Sequence, residues 1–200
     1  MRKARVLAPI AVLAAIGGLV YTQGSGAAGD EKAVRAAVEK IAAAVEKGDM
    51  EGARKHAETL AKKTPGDPLE VLEELGAMDL FKKKDKGGFG FGAGPKELDG
   101  IEVKYREIAR DGATPASVKN DAKHYKAMGY RTAAIGLVAE ALTPKKAKGT
   151  AQPKNWVQYT KDIVEGGEAL AKAKSAAEVK TIATRVNNAC NACHSEWRNK

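Results

Sequence analysis

The segment Cys190-Asn191-Ala192-Cys193-His194 holds the only two cysteines of this 200-residue chain. C-x-x-C-H is the attachment signature of a c-type haem. Residues three apart on a helix share a face, so both thiols can reach the two vinyl groups along one porphyrin edge. His194 directly follows Cys193, so its imidazole can rise beneath the iron as an axial ligand. Three other readings compete. A thioredoxin-like dithiol wants its C-x-x-C beside a βαβ pattern, and this chain has none. A zinc site wants four ligands, and the other two histidines, His56 and His124, form no second ligand pair. A plain disulfide leaves His194 without a role.

The opposite end of the chain speaks for the compartment. Met1-Arg2-Lys3-Ala4-Arg5 is a cationic start, followed by an apolar stretch from Val6 to Tyr21 interrupted only by Pro9 and the Gly17-Gly18 pair. The stretch is short for a membrane span. Ser25 and Ala27 suit the −3 and −1 positions of a signal-peptidase site, so residues 1–27 read as a signal peptide, with an uncleaved N-terminal anchor as the alternative. Either way the rest of the chain is expected in the bacterial periplasm, where c-type haem is attached. Membrane contact is expected only if the leader stays on.

The formal net charge is +9. Arg2, Lys3 and Arg5 supply three of the 34 basic residues and none of the 25 acidic ones, which leaves +6 beyond the leader. Those charges interleave as Glu/Lys pairs, as in Glu39-Lys40 and Glu46-Lys47, which describes a solvated helical surface. A modest positive field can steer an acidic redox partner. A nucleic-acid reader is excluded, because no basic stripe carries interleaved aromatics.

With 5% aromatics, abundant Ala and Lys and few β-branched runs, the chain favours helix. Val34, Val38, Ile41 and Val45 recur at four, three and four residues, a helix stripe that Gly48-Asp49 breaks. Ala53, Ala57 and Leu60 continue a shorter second stripe. The turn Thr64-Pro65-Gly66-Asp67-Pro68 leads to a helix with Leu69, Leu72 and Leu75, expected to end near Phe81. A glycine-rich run follows from Gly87 to Pro95. It lacks a Gly-Lys-Ser/Thr ending and follows a helix, so it is no phosphate loop. It reads as a flexible connector, or alternatively as a flap laying Phe89 and Phe91 over an apolar surface such as a haem edge.

The C-terminal half is more regular. Asp99 and Glu102 frame a helix bearing Ile101, Tyr105 and Ile108. Thr114-Pro115 begins another, with Tyr125, Met128, Thr132, Ile135, Ala139 and Leu142 on its core stripe, and Pro144 stops it. Pro153 opens a helix through Trp156, Ile163, Val164, Leu170 and Ala171. Gly166-Gly167 inside it implies close approach of a neighbour or of the macrocycle. Ser175-Ala176-Ala177-Glu178 is a capping box for the last helix, whose stripe is Val179, Ile182, Val186, Cys190, Cys193 and Trp197. The cysteines thus lie on the core-facing seam, and an attached haem would sit inside a helix bundle. The chain divides into the leader 1–27, a helical N-terminal segment with glycine-rich connector at 28–95, and a haem-binding bundle region at 96–200.

A C-terminal C-x-x-C-H on the last helix of an all-helical exported chain resembles the class II c-type cytochromes, the cytochrome c′ group. The likeness is best from Trp156 to Arg198. It implies an all-α fold: an antiparallel four-helix bundle with one covalently bound haem, here with extra N-terminal helices. Cys190 and Cys193 match the family's thioether positions and His194 its proximal ligand. Arg198 matches a basic residue placed beside the proximal imidazole, and Trp197 stands where the family usually has Tyr or Phe. The first bundle helix is either Asp30–Lys63 or the shorter one around Ile101–Arg110. This leaves the distal side of the haem open, because in the family the first helix controls the sixth position.

The implied function is electron transfer by an exported monohaem c-type cytochrome, with no catalytic residues and no enzyme activity. The alternative is a protein binding NO or CO at a five-coordinate haem. Met128 lies on a core stripe and is a thioether that can ligate iron, although packing is its ordinary role. His124 and Met50 sit off or at the ends of their stripes, Met78 lies near a helix end, and His56 borders Ala57 and Leu60. These four read as surface or boundary residues. The partner is a redox protein, and a homodimer is left open.

Overall fold

A computed structural model of the chain describes residues 26–63, 66–92 and 100–198. Most of the leader, the Thr64-Pro65 part of the first turn, the end of the glycine run and Asp99 lie outside the described residues. Among those described, the protein is all-helical and contains no strand. The helices are α1 (Gly26–Glu46), α2 (Met50–Ala61), α3 (Pro68–Glu74), α4 (Ile101–Asp111), α5 (Pro115–Asn120), α6 (Ala122–Ala141), α7 (Pro153–Lys172) and α8 (Ala176–Cys193). None of the described helices is long and apolar enough to cross a membrane.

The helix starts follow local chemistry. The Asp49 carboxylate accepts from the Gly52 N–H and starts α2 after the Gly48 turn. Thr114 and Ser117 form a reciprocal capping box with Pro115 at the first turn of α5, and Ser175 and Glu178 form another on α8. Each cap satisfies backbone donors that the first helical turn leaves without partners.

Two boundaries differ from the sequence expectation. The helix expected to run to Phe81 stops at Glu74, because Gly76 turns into left-handed backbone at φ +61°. The chain then continues through short 3₁₀ turns at Asp79–Phe81 and Lys84–Lys86. The helix expected from Pro115 to Leu142 is broken at Asp121, whose φ/ψ of −102°/16° leaves the helical range. Asn120 and Asp121 offer the backbone local alternatives to helix, so a break there is natural.

α6 is the centre of the molecule. All residues from Thr132 to Ala139 are buried, so the helix has no polar face along these two turns and is packed all round. α7 lies antiparallel to it, with Gly129 opposite Gly167 and the Trp156 indole N–H donating to the Ala139 carbonyl at 2.8 Å. α8 runs back along α7, where Arg185 bridges Asp162 and Glu165 at 2.6 Å each. α4 packs along α8 and reaches α6 through a buried Tyr105–Thr132 hydroxyl contact of 3.1 Å. α1 and α2 cover another side of α6, tied by Arg131–Glu39, Lys126–Glu46 and Arg54–Glu140 pairs, each 2.7 Å. Exposed pairs of this kind add little stability, so apolar burial is what joins the layers. One core cluster extends from Val34 to Trp197.

The paired glycines of α7 serve neighbouring helices. A Cβ on Gly167 would stand 2.5 Å from the Ala133 nitrogen and 2.6 Å from the Gly129 carbonyl of α6, while one on Gly166 would collide with Val186 of α8. Of the two explanations for Gly166-Gly167, close approach of a neighbour is the one the packing bears out. The Gly87–Gly92 run also differs from a loose connector: Phe89 and Phe91 are buried, and the Phe89 N–H donates to the Leu80 carbonyl at 2.9 Å.

Candidate functional site

The thiols of Cys190 and Cys193 and the imidazole of His194 line one cleft of about 560 Å³. That volume lies within the range of cofactor pockets. Its walls come from distant parts of the chain: Leu72, Met78 and Phe81 before α4, Tyr105 from α4, Ile135 and Ala139 from α6, and Trp156 and Ile163 from α7. Glu73, Asp79, Lys82, Glu102, Arg106 and Arg198 give the same cleft its charged residues. An apolar chamber with charges suits a porphyrin, whose macrocycle is apolar and whose propionates are anionic. The donor set fits haem attachment: two thiols three residues apart and an adjacent imidazole. Among the described residues, no three His, Cys, Asp or Glu side chains come together as a metal cluster.

Burial sets the chemistry of these groups. The Cys190 thiol is pushed up to about 12, chiefly by desolvation, then by the charge of Cys193 and of Glu102. Cys193 is pushed up to about 11 by desolvation and by Glu196. Both are free and half-buried, so at neutral pH they are protonated thiols rather than reactive thiolates. Burial lowers the His194 pKa, the Arg198 charge lowers it further, and Glu102 opposes both. The neutral imidazole, the form with a lone pair to donate, is favoured.

The structure sorts the remaining candidates. Met78 lines the cysteine cleft, placed there by the turn that Gly76 imposes. Met128 does not; it is buried in the core at 1% exposure. Met50 packs against the core from the start of α2, and His56 is half-buried on α2. His124 stacks on Phe91 at 5.8 Å in a different cleft. Phe89 and Phe91 are likewise absent from the cysteine cleft, so these two rings do not lie over it. Of the two segments that could form the first wall, α4 contributes lining residues and α1 and α2 contribute none.

Arg198 is exposed at the mouth, 3.9 Å from the Glu73 carboxylate. It does not follow His194 by one α-helical turn, because His194–Arg198 is a π-helical turn. Such turns cluster at functional sites.

Sequence reading missed what holds this last turn. The Glu196 carboxylate accepts from the Gln152 N–H at 2.9 Å, from the Asn155 amide at 2.9 Å and from the Tyr159 hydroxyl at 2.7 Å. Trp197 packs edge-on against Trp156 at 5.4 Å. Glu196 therefore clamps the turn carrying His194 to the start of α7. The only signal in the sequence was an acid two residues beyond the histidine, which carries no direction. The bond to Glu196, with burial and the Glu196 charge adding to it, raises the Tyr159 pKa to about 12. A raised pKa means that this bond contributes fully below the ordinary tyrosine value of 10.0 and is lost as pH rises through about 12. Glu196→Ala is expected to return Tyr159 to ordinary titration, read by ultraviolet absorbance. The same substitution should cost about 2 kcal/mol of stability, since hydrogen bonds to a charged acceptor contribute ~1.5–3 kcal/mol before solvent screening.

Comparison of the chain with protein-family models, with curated proteins and with solved structures finds no match.

Proposed function

We propose that the protein is an exported monohaem c-type cytochrome that carries electrons. The observation that carries this reading is the opening of Cys190, Cys193 and His194 into one cofactor-sized cleft. The N-terminal leader pattern supports export, and the walls from α4, α6, α7 and α8 suit the antiparallel four-helix bundle of the cytochrome c′ group. Cys190 and Cys193 would hold the haem covalently, each thiol adding across one vinyl C=C so that its S–H hydrogen goes to the other vinyl carbon. No oxidant is needed. A haem held there supplies a one-electron couple at its iron. His194 would hold the iron through a ring nitrogen, and Glu196 fixes the turn that carries it.

Tyr105, Ile135, Trp156 and Phe81 give the cleft an apolar wall, and low polarity there favours the less charged, reduced state. Arg198 adds a positive charge at the mouth that disfavours oxidised iron, and Glu73 and solvent moderate it. One electron enters from a reduced exported redox protein and leaves to an oxidised one, with no atom transferred. The net positive charge beyond the leader favours an acidic partner.

Met78 favours the carrier over the gas-binding alternative, because it is the only methionine among the cleft's lining residues and His194 the only histidine. If a haem is bound, the Met78 thioether could serve as a second donor with His194 and would favour a low-spin iron. The test is acid–acetone extraction of one sample of the purified exported protein and the native absorption spectrum of another. One retained haem per chain and a low-spin ferric spectrum are expected, and freely extracted haem would overturn the reading. Met78→Ala should convert the iron to a high-spin, five-coordinate form that shifts with CO. Met128→Ala should leave the spectrum unchanged while costing roughly 2–5 kcal/mol of core packing. A wild-type spectrum that is already high-spin would favour the gas binder.

A further inference from the structure

A second concavity, of about 630 Å³, shares no lining residue with the cysteine cleft. It is lined by Arg35 of α1, Lys84 and Phe89 of the packed loop, and Lys123, His124 and Arg131 of α6, with no aspartate or glutamate among its lining residues. The two guanidiniums are held in place. Both lie over the Phe89 ring, at 4.6 Å for Arg35 and 4.4 Å for Arg131. Arg35 donates to the carbonyls of Gly87 and Gly88, the latter at 2.8 Å. Arg131 donates to Glu39 at 2.7 Å. Lys84 donates to the Gly92 carbonyl.

These anchors all use one NH₂ group of each guanidinium. Among the described residues, the Nε–H and the other NH₂ of Arg35 and Arg131 have no protein acceptor. Two guanidiniums sharing one ring, with two ammonium groups beside them, repel one another, and a single carboxylate offsets them. Their order is already established without a ligand, which removes part of the entropy cost of binding. Planar N–H forks match phosphate and carboxylate oxygens, and four permanent cations call for more than one negative charge. The concavity is of small-molecule size.

We propose that this cleft binds a small multivalent oxyanion, a diphosphate or a polycarboxylate, through Arg35 and Arg131 with Lys84 and Lys123. The site is independent of the haem reading, since it needs neither cysteine nor His194.

The experiment is calorimetric titration of the purified, exported full chain with sodium pyrophosphate and, separately, with citrate, at ionic strength held constant with sodium chloride. Saturable binding of one anion per chain is expected with at least one of the two, and the arm that responds names the class. Lys123 is exposed, so Lys123→Gln should fold normally and weaken binding by about tenfold, the scale of one charge-assisted hydrogen bond. Arg131→Lys keeps the charge but loses the planar fork and should weaken binding at least as much. Lys161→Gln, on α7, should change nothing. Heat that merely tracks ionic strength, affinity unchanged in both cleft variants, or binding of polyglutamate with neither small anion would each overturn the proposal.

Discussion

Replacing Cys190 and Cys193 together with alanine is expected to reduce covalently retained haem from one per chain to none. Haem staining of the denatured, exported protein reads this directly. No third cysteine exists to substitute, so the loss should be complete. Each single replacement should keep the haem through the other thioether and shift its absorption to longer wavelength, because one vinyl group stays conjugated with the ring. The two should differ in degree, since Cys190 is the more strongly desolvated thiol and Cys193 responds to Glu196. Covalent haem persisting in the double variant would remove the basis of the functional proposal.

Gly167→Val should be strongly destabilising although it lies outside the cleft. Its Cβ would press on backbone atoms of Ala133 and Gly129, which cannot rotate away as a side chain can. α6 and α7 would have to separate, and overpacking of this kind costs about 1–3 kcal/mol or more. With ~2–4 °C of melting temperature per kcal/mol for a chain this size, a loss near 10 °C is expected in thermal unfolding followed by circular dichroism. The valine gains little from leaving glycine, because a β-branched residue is itself a modest helix former. Gly149→Ala is the control. Gly149 adopts φ +60° with open space around its Cβ position, so only a small backbone penalty applies. A melting temperature for Gly167→Val within 2 °C or so of wild type, on the same scale, would show that the crossing of α6 and α7 is looser than described.

The parts legible in the sequence were those encoded by local chemistry. Ser175 and Glu178 announce the start of α8, Pro153 that of α7, and the stripe from Val179 to Trp197 places both cysteines on an inward seam. Gly166-Gly167 could be read as close contact, because glycine inside a good helix needs a reason. What could not be read was anything settled by meeting a distant residue. Leu72 and Leu75 keep helical spacing right up to Gly76, so the periodic pattern hid the turn that brings Met78 to the cleft. Phe89 belongs with Arg35 and Arg131, which lie 54 positions before it and 42 after it in the numbering. Glu196 carries no mark of the three donors on α7 and its preceding loop that converge on it.

The cysteine cleft is walled by residues from Leu72 to Arg198, so it closes only when the two ends of that span meet. Contacts of such long sequence separation form late, because loop-closure entropy must be overcome first. Synthesis from the N-terminal side produces the wall residues Leu72 to Ile163 before Cys190 to His194. Most of the helices can therefore pair before the attachment segment arrives. A porphyrin joined to α8 and seated against Leu72 and Phe81 would then act as a kinetic latch, slowing unfolding by joining the last-formed contacts to a much earlier part of the chain.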